Sequence, residues 1–415
     1  MERGRERSSS GRDAAVPAAI GVGTLGYGFM GRAHSIALRK LAWAAPSLAR
    51  QPRLVAICGR DEAAAGEVGR RFGYERVVGD WRELIADPAI ELLCNGGPNA
   101  LHAEPTIAAL RAGKHVLCEK PLGRTAAEAY EIWAEAERAG VVHMVGFNYR
   151  FFPAVALARR LVTAGALGEV RHFRARYLQS WLVDPEAPAT WRLDAAQAGA
   201  GALGDLGSHA VDLARHLVGE PVAVSARTAT FVGERPGGRV DVDDAFAATV
   251  AFEQGAIGTL EGSRVATGRK NQLAFEINGT RGSVAFDQER MQELEVHLPD
   301  ADGETATAGF RRVHVSDPAH PLLSESWPAG HAVGWEDSFV FELRHLLEAI
   351  ADGTPVAPLG ATFEDGYRCA EVCDAIADAA ATGAEQPVVC RGLDEPELVF
   401  APPFPPAGWE PALHG

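Results

Sequence analysis

Ala19-Ile20-Gly21-Val22-Gly23-Thr24-Leu25-Gly26-Tyr27-Gly28-Phe29-Met30-Gly31-Arg32-Ala33-His34 joins an apolar run to helix-forming residues through three glycines in the spacing G-x-G-x-x-G. The first glycine permits a tight turn, the second lets backbone approach a pyrophosphate closely, and the third lets the helix pack on the strand; the helix N-terminus supplies amide donors. Alone, such a hexapeptide is a weak signal. Its place after a strand and before a helix makes it a dinucleotide site.

Working outward, the apolar runs Ile20 to Gly26, Leu54 to Cys58, Leu92 to Asn95 and His115 to Cys118 are separated by helical stretches such as Ala103 to Ala112, which Gly113 ends. Strands alternating with helices of about 10 to 15 residues predict βαβ units and a parallel sheet. Near residue 150 the texture changes. Glu169 to Gln179, Val222 to Phe231, Ala245 to Phe252, Gly282 to Phe286 and Glu293 to Leu298 alternate faces, with a helix only between Ser208 and Val218. In Ala245 to Phe252, Phe246, Ala248, Val250 and Phe252 share one face, a period of two. Helices follow at about Trp335 to Ala351 and Phe363 to Ala381, then a tail with Pro402-Pro403-Phe404-Pro405-Pro406. The expected fold class is α/β plus α+β: a Rossmann domain over 18–150 and a domain with a large, mostly antiparallel open β-sheet over 151–385. Residues 1–17 and 386–415 are expected to be tails, the first disordered and the second Pro-rich.

A chain of 415 residues suits two or three domains. Its 40 Lys and Arg against 55 Asp and Glu leave a formal charge of −15, which argues against a nucleic-acid groove or a polybasic membrane surface. No run of about 18 uncharged apolar residues is present to span a membrane. The first fifteen residues mix Arg with Glu and Asp and open no long apolar run, so no secretory signal is expected. Six cysteines without a C-x-x-C pair fit reduced thiols in a cytoplasm. Small molecules are the expected partners.

Three further motifs carry chemistry. In Lys114-His115-Val116-Leu117-Cys118-Glu119-Lys120-Pro121 a lysine stands at the mouth of a buried strand, where it needs a partner such as a reacting oxygen. In Gly204-Asp205-Leu206-Gly207-Ser208-His209-Ala210-Val211-Asp212-Leu213-Ala214-Arg215-His216 the acids and histidines recur at helical spacing. Residues eleven apart lie about 16 Å apart on one helix, so four ligands cannot converge and no metal is expected. Asp205 and His209, one turn apart, read as a histidine base with its orienting carboxylate, or as a helix cap beside a satisfied core histidine; the carboxylate would raise the titration of His209 above its usual value near 6.5. Asp212 and His216 read as structural. The third motif is a departure: Gly59-Arg60-Asp61 replaces the acidic residue that usually ends the second strand and holds the ribose hydroxyls of NAD.

G-Y-G-F-M-G-R-A-H, G-P-N-A-L-H, A-G-K-H-V-L-C-E-K-P-L and G-D-L-G-S-H-A-V-D, in that order, resemble the Gfo/Idh/MocA family of NAD(P)-dependent oxidoreductases over about residues 18 to 385. Gln179-Ser180-Trp181, Trp191-Arg192-Leu193 and Gly330-His331-Ala332-Val333-Gly334-Trp335 are most similar to the branch that holds levoglucosan and inositol dehydrogenases. The resemblance implies catalytic Lys120, Asp205 and His209, with a cis bond between Lys120 and Pro121. It implies a cofactor site of Gly26, Gly28, Phe29, Met30, Gly31, Gly59, Arg60, Pro98, Asn99, His102, Glu119, Lys120 and Asn148. Gly97 stands where a Thr or Ser is common, so one hydrogen bond to the cofactor is expected to be lost. Substrate contacts are expected from Lys120, Tyr149, Arg150, Gln179, Trp181, Trp191, Arg192, His209 and His331; the aromatic rings suit a sugar, or serve as sheet packing. The implied reaction moves hydride between a ring secondary alcohol of a sugar, glycoside or cyclitol and NAD or NADP, giving a keto sugar, the 3-keto product included. Alternatives are a keto-sugar reductase and a non-catalytic nucleotide-binding regulator. An open sheet face needs a cover, so a homodimer or homotetramer is expected.

Overall fold

The computed structural model describes residues 18–299, 308–323 and 328–393. The N-terminal tail 1–17 and the Pro402–Pro406 segment lie outside them. The first unit runs β1 (Ala18–Leu25), α1 (Phe29–Ala44), β2 (Arg50–Cys58), α2 (Glu62–Phe72), β3 (Arg76–Val78), α3 (Trp81–Ala86), β4 (Leu92–Asn95), α4 (Ala103–Arg111), β5 (His115–Cys118), α5 (Ala126–Ala139) and β6 (His143–Val145). Leu54 to Cys58, Leu92 to Cys94 and Val116 to Cys118 are all buried, the unbroken apolar pattern of strands covered on both faces. The six strands are parallel in the order β3-β2-β1-β4-β5-β6. The order reverses between β1 and β4, opening the crevice at the carboxyl ends where such sheets bind ligands.

The second unit contains α6 (Pro153–Thr163), β7 (Val170–Leu178), α7 (Ala195–Ala198), α8 (Ser208–Leu217), β8 (Pro221–Ala229), the short pair β9 (Glu234–Arg235) and β10 (Gly238–Arg239), β11 (Ala245–Phe252), β12 (Ile257–Ser263), β13 (Gln272–Gly279), β14 (Ser283–Asp287), β15 (Glu293–His297) and β16 (Arg311–His314). After them come α9 (Asp337–Asp352), α10 (Phe363–Thr382) and β17 (Gln386–Pro387). Nine strands form one sheet, β16-β15-β14-β13-β7-β12-β11-β8-β17, antiparallel except for the β7–β12 pair. Phe246, Ala248, Val250 and Phe252 of β11 are buried and Ala247 and Thr249 exposed, as their alternation requires.

Two features depart from the sequence reading. Gln386 and Pro387, expected to open the C-terminal tail, instead form the sheet's edge strand on β8; beyond them the Val388 amide donates to the Val222 carbonyl at 2.9 Å. Helix α9 returns to the first unit, packing Phe339, Leu343, Leu346 and Leu347 in one cluster with Ile20, Val22 and Leu38. On the other side of the parallel sheet, α10 joins the two units: Tyr367 stacks on Trp133 of α5 at 5.4 Å between centroids, within a core that continues to Phe173 and Phe275 of the large sheet. No helix among the described residues is long and apolar enough to cross a membrane.

Candidate active site

The glycine loop follows β1. Gly26 has φ +99°, and a Cβ there would lie 2.6 Å from the Gly96 carbonyl oxygen of the neighbouring strand's exit. A Cβ on Gly31 would strike the Gly26 carbonyl at 2.0 Å, so helix and loop touch. A Cβ on Gly28 meets nothing within 4 Å. Gly28 is also the N-cap of α1 and offers no side-chain cap, so the first-turn amides of α1 border open space. This cradle fits a dinucleotide diphosphate. Phe29 is 64% exposed beside it, and Met30 is half-buried. At the end of β2 a Cβ on Gly59 would lie 2.1 Å from the Tyr27 ring, Arg60 is exposed, and Asp61 caps α2 by accepting from the Ala64 amide at 3.0 Å. Past β4, Pro98 leads into the turn Asn99–Leu101. Asn99 donates to the Ala198 carbonyl at 2.8 Å, and buried His102 sets its ring nitrogens against the Pro121 and Gly97 carbonyls at 2.7 and 3.1 Å. Burial pushes the titration of His102 down despite those carbonyls.

The second group of residues meets at the carboxyl ends of β5 and β6. The Lys120-Pro121 bond is cis. The Lys120 Nζ donates to the Asp205 carbonyl at 2.8 Å and to its Oδ1 at 2.9 Å, and Arg264 Nη2 donates to Asp205 Oδ2 at 3.0 Å. Asp205 sits in a π-helical turn, Leu203–Gly207, ahead of α8; the Asp243 carboxylate fixes the turn's entry by accepting from the Gly201 and Leu203 amides. Burial alone would push the Asp205 carboxyl up, but Lys120 and Arg264 hold it far below the usual carboxylate range. His209, in the first turn of α8, is buried with its ring 4.3 Å from that of Tyr149 and 5.8 Å from those of Phe147 and Tyr177. Tyr149 and Tyr177 share a hydroxyl hydrogen bond of 2.6 Å, and Tyr177 and Gln179 both donate to Asn271 Oδ1.

Two expectations about this pair are corrected. Asp205 spends both carboxylate oxygens on cations, Oδ1 on Lys120 and Oδ2 on Arg264, and no hydrogen bond links it to His209. The titration of His209 is moved down, not up: burial lowers it most, Lys120 lowers it further, and Asp205 only partly opposes them.

Comparison with known proteins gives the same picture. Residues 20–147 match the family model described as the oxidoreductase family, NAD-binding Rossmann fold, and residues 155–285 match the Gfo/Idh/MocA C-terminal domain. The chain belongs to the Gfo/Idh/MocA oxidoreductases. Levoglucosan dehydrogenase of Pseudarthrobacter phenanthrenivorans is 42% identical over 384 residues, covering 87% of this chain and 96% of that protein. A structure of levoglucosan dehydrogenase with NADH and levoglucosan superposes with a TM-score of 0.85 at 42% identity, covering 89% of this chain and 99% of that one. An oxidoreductase domain protein from Kribbella flavida gives 0.86 at 44% identity, with 90% and 100% covered. Myo-inositol 2-dehydrogenase of Thermotoga maritima is 29% identical over 346 residues, covering 83% of this chain and 91% of that protein. The chain is thus an NAD(P)-dependent oxidoreductase.

In this oxidoreductase the remaining expected residues divide. Trp181 is 42% exposed with the Arg264 guanidinium 5.5 Å from its ring, and Arg192 stacks over Trp191 at 4.4 Å. Trp335 stacks on Phe29 at 5.5 Å and directs its indole N–H to the Tyr149 hydroxyl at 3.4 Å, joining the glycine loop to the tyrosine pair. Arg150, expected to touch substrate, is sealed in the core instead, with Nε and Nη2 on the Asp212 carboxylate. Asn148 is buried too and donates to Ser338 Oγ at 2.8 Å, while Glu119 holds His34 Nε2 at 2.8 Å and the Lys120 amide at 3.2 Å. His331 is exposed, its Nδ1 2.8 Å from the Pro328 carbonyl. Asp212 and His216, read as structural, are buried. Sequence reasoning missed Tyr177, Asn271 and Arg264. Tyr177 lies two residues before Gln179 and so shares its side of an extended strand, a usable signal; Arg264 follows β12 with no motif around it.

Proposed function

We propose that this oxidoreductase oxidises a ring secondary alcohol of a sugar, glycoside or cyclitol to the ketone. The observation that carries this reading is an ion-paired lysine and a buried histidine brought together at the carboxyl edge of the dinucleotide sheet, with burial and Lys120 pushing the histidine's titration down. An ammonium has three donors, and two of those on Lys120 are spent on Asp205, so one is left for a substrate oxygen. His209 accepts the hydroxyl proton in the neutral form that its surroundings favour. Lys120 stabilises the developing alkoxide, and Asp205 fixes Lys120. Gly26, Gly28 and Gly31 would hold a nicotinamide cofactor by its diphosphate, and the cofactor when bound would supply the acceptor for the hydride released from the carbinol carbon. Trp181, Trp191 and Trp335 supply faces for the apolar side of a sugar ring, and Gln179 and Arg192 supply edge donors, whereas Tyr149, expected to touch substrate, is buried between the His209 and Phe152 rings. Levoglucosan and myo-inositol, named in the relatives, are both ring polyols, which supports that class. Six free cysteines support a cytoplasmic setting, and the open face of the large sheet supports a homodimer or homotetramer.

The test is absorbance at the reduced-nicotinamide band with levoglucosan, glucose, inositols and aryl glucosides, each with NAD and with NADP. Turnover of at least one ring polyol is expected. Silence across the panel, with cofactor binding intact, contradicts the oxidation reading.

A further inference from the structure

We propose that Arg264 is the positioning residue of this site, aiming Lys120 through Asp205 with one arm and holding the sugar-facing loops with the other; the proposal rests on the sugar-oxidising reading above. Arg264 is only 1% exposed. Its Nη2 binds Asp205 Oδ2, its Nη1 binds the Arg192 carbonyl at 3.2 Å, and its guanidinium lies 5.5 Å from the Trp181 ring centroid. Its own backbone is pinned as well, donating to the Asp244 carbonyl at 2.9 Å and accepting from the Leu182 amide at 3.1 Å. Nε is buried with no partner.

Stability is a poor account of such a residue. Replacing a buried ion pair with well-packed apolar side chains is often neutral or stabilising, and an unsatisfied buried N–H is a cost. The arrangement makes sense at the reacting lysine. A carboxylate free to turn would draw the Lys120 ammonium to either oxygen. Arg264 occupies Oδ2, so Lys120 is left with Oδ1 and the Asp205 carbonyl, and tetrahedral geometry then fixes the direction of its third N–H. Asp205 is also a single negative charge shared by Lys120 and Arg264, which leaves surplus positive charge where an alkoxide develops. The other arm acts on binding: the Arg192 carbonyl belongs to the turn Trp191–Leu193 that presents Trp191 and Arg192, and Trp181 stands beside the same guanidinium.

The two arms touch different kinetic parameters, so two variants separate them. Arg264→Met keeps length and removes both arms; Arg264→Lys keeps a cation for Asp205 and cannot reproduce the two-armed fork. With a ring polyol that the native enzyme oxidises, Arg264→Met is expected to lower kcat at least thirtyfold and raise the sugar KM at least tenfold. Arg264→Lys is expected to keep kcat within about threefold of native while KM stays raised at least fivefold. NADH affinity, read from fluorescence, is expected to change less than twofold in both. More than half the native kcat in folded Arg264→Met overturns the proposal. So does a kcat loss in Arg264→Lys of tenfold or more with KM unchanged; if Arg264→Met does not fold, the lysine variant alone decides on these limits. A native enzyme that binds NADH but oxidises no ring polyol fails the functional reading itself, and this proposal falls with it.

Discussion

His209 shows how far a residue's chemistry depends on what surrounds it. Three aromatic rings and a neighbouring ammonium disfavour the imidazolium, and the one carboxylate within reach is already bound to Lys120 and Arg264. A histidine whose titration is moved down from its usual value near 6.5 is already neutral above that pH. The oxidation rate is therefore expected to show no histidine limb between pH 6 and 9 when a deuterium effect shows chemistry to be rate-limiting. A rise with its midpoint between pH 6 and 8 under those conditions returns His209 to the charge-stabilised setting its spacing from Asp205 suggests. His209→Ala should lower turnover by about 10² to 10⁴, roughly 3 to 5 kcal/mol of barrier, and leave NADH affinity within about twofold. More than half the native rate removes His209 from the chemistry. Lys120, Asp205 and His209 were legible because each sits in a compact motif. Their pairing was not, since the residue that takes Asp205 Oδ2 lies 59 positions away in the chain.

At the scale of elements, legibility followed burial pattern. Four of the six Rossmann strands, β1, β2, β4 and β5, carry apolar runs and could be read directly; the three-residue strands β3, which opens on exposed Arg76, and β6 were too short to be read. Strand β12 was missed because Gly258 and Gly262 fill inward positions under Phe252 and Phe246, and glycine reads as a turn. The helical period of α9 marks an apolar face, but nothing in it says that α1, over three hundred residues earlier, will cover it. The junction of β2 and α2 decides the choice of cofactor. Tyr27 packs on Gly59, so no carboxylate stands where it would repel a 2′-phosphate, and Asp61 is engaged in capping α2. Arg60 is exposed there. NADH and NADPH are thus expected to differ in dissociation constant by less than about a hundredfold. Arg60→Ala should weaken NADPH alone if the guanidinium pairs with phosphate, or both cofactors alike if it stacks on adenine. Unchanged binding of both places Arg60 in solvent and removes it from the cofactor site.

For the whole molecule, the decisive asymmetry is between the two faces of the nine-stranded sheet. One face carries the buried core under α8 and α10. The other is a concavity of about 840 Å³ whose lining includes the small residues Ser225, Ala247, Thr249 and Thr259, with Arg174, Arg176 and Arg227 set among Glu261, Glu276 and Glu295. Small side chains let a second sheet approach to about 10 Å, and mixed charges let a two-fold copy set arginine against glutamate. Native protein is therefore expected to scatter light as a dimer or tetramer. Ala247 is the place to test this, because it is exposed in β11 and lies across from Arg227 on one side and Glu261 on the other. In the monomer an arginine at this position projects into solvent beside Glu261, so Ala247→Arg should fold and bind NADH as before. In the assembly the same side chain enters the small-residue floor and adds a cation near Arg227. The mass by light scattering should then halve, to one chain from a dimer or to two chains from a tetramer. A native mass of one chain, or an Ala247→Arg mass equal to the native oligomer, shows that this face is not the contact.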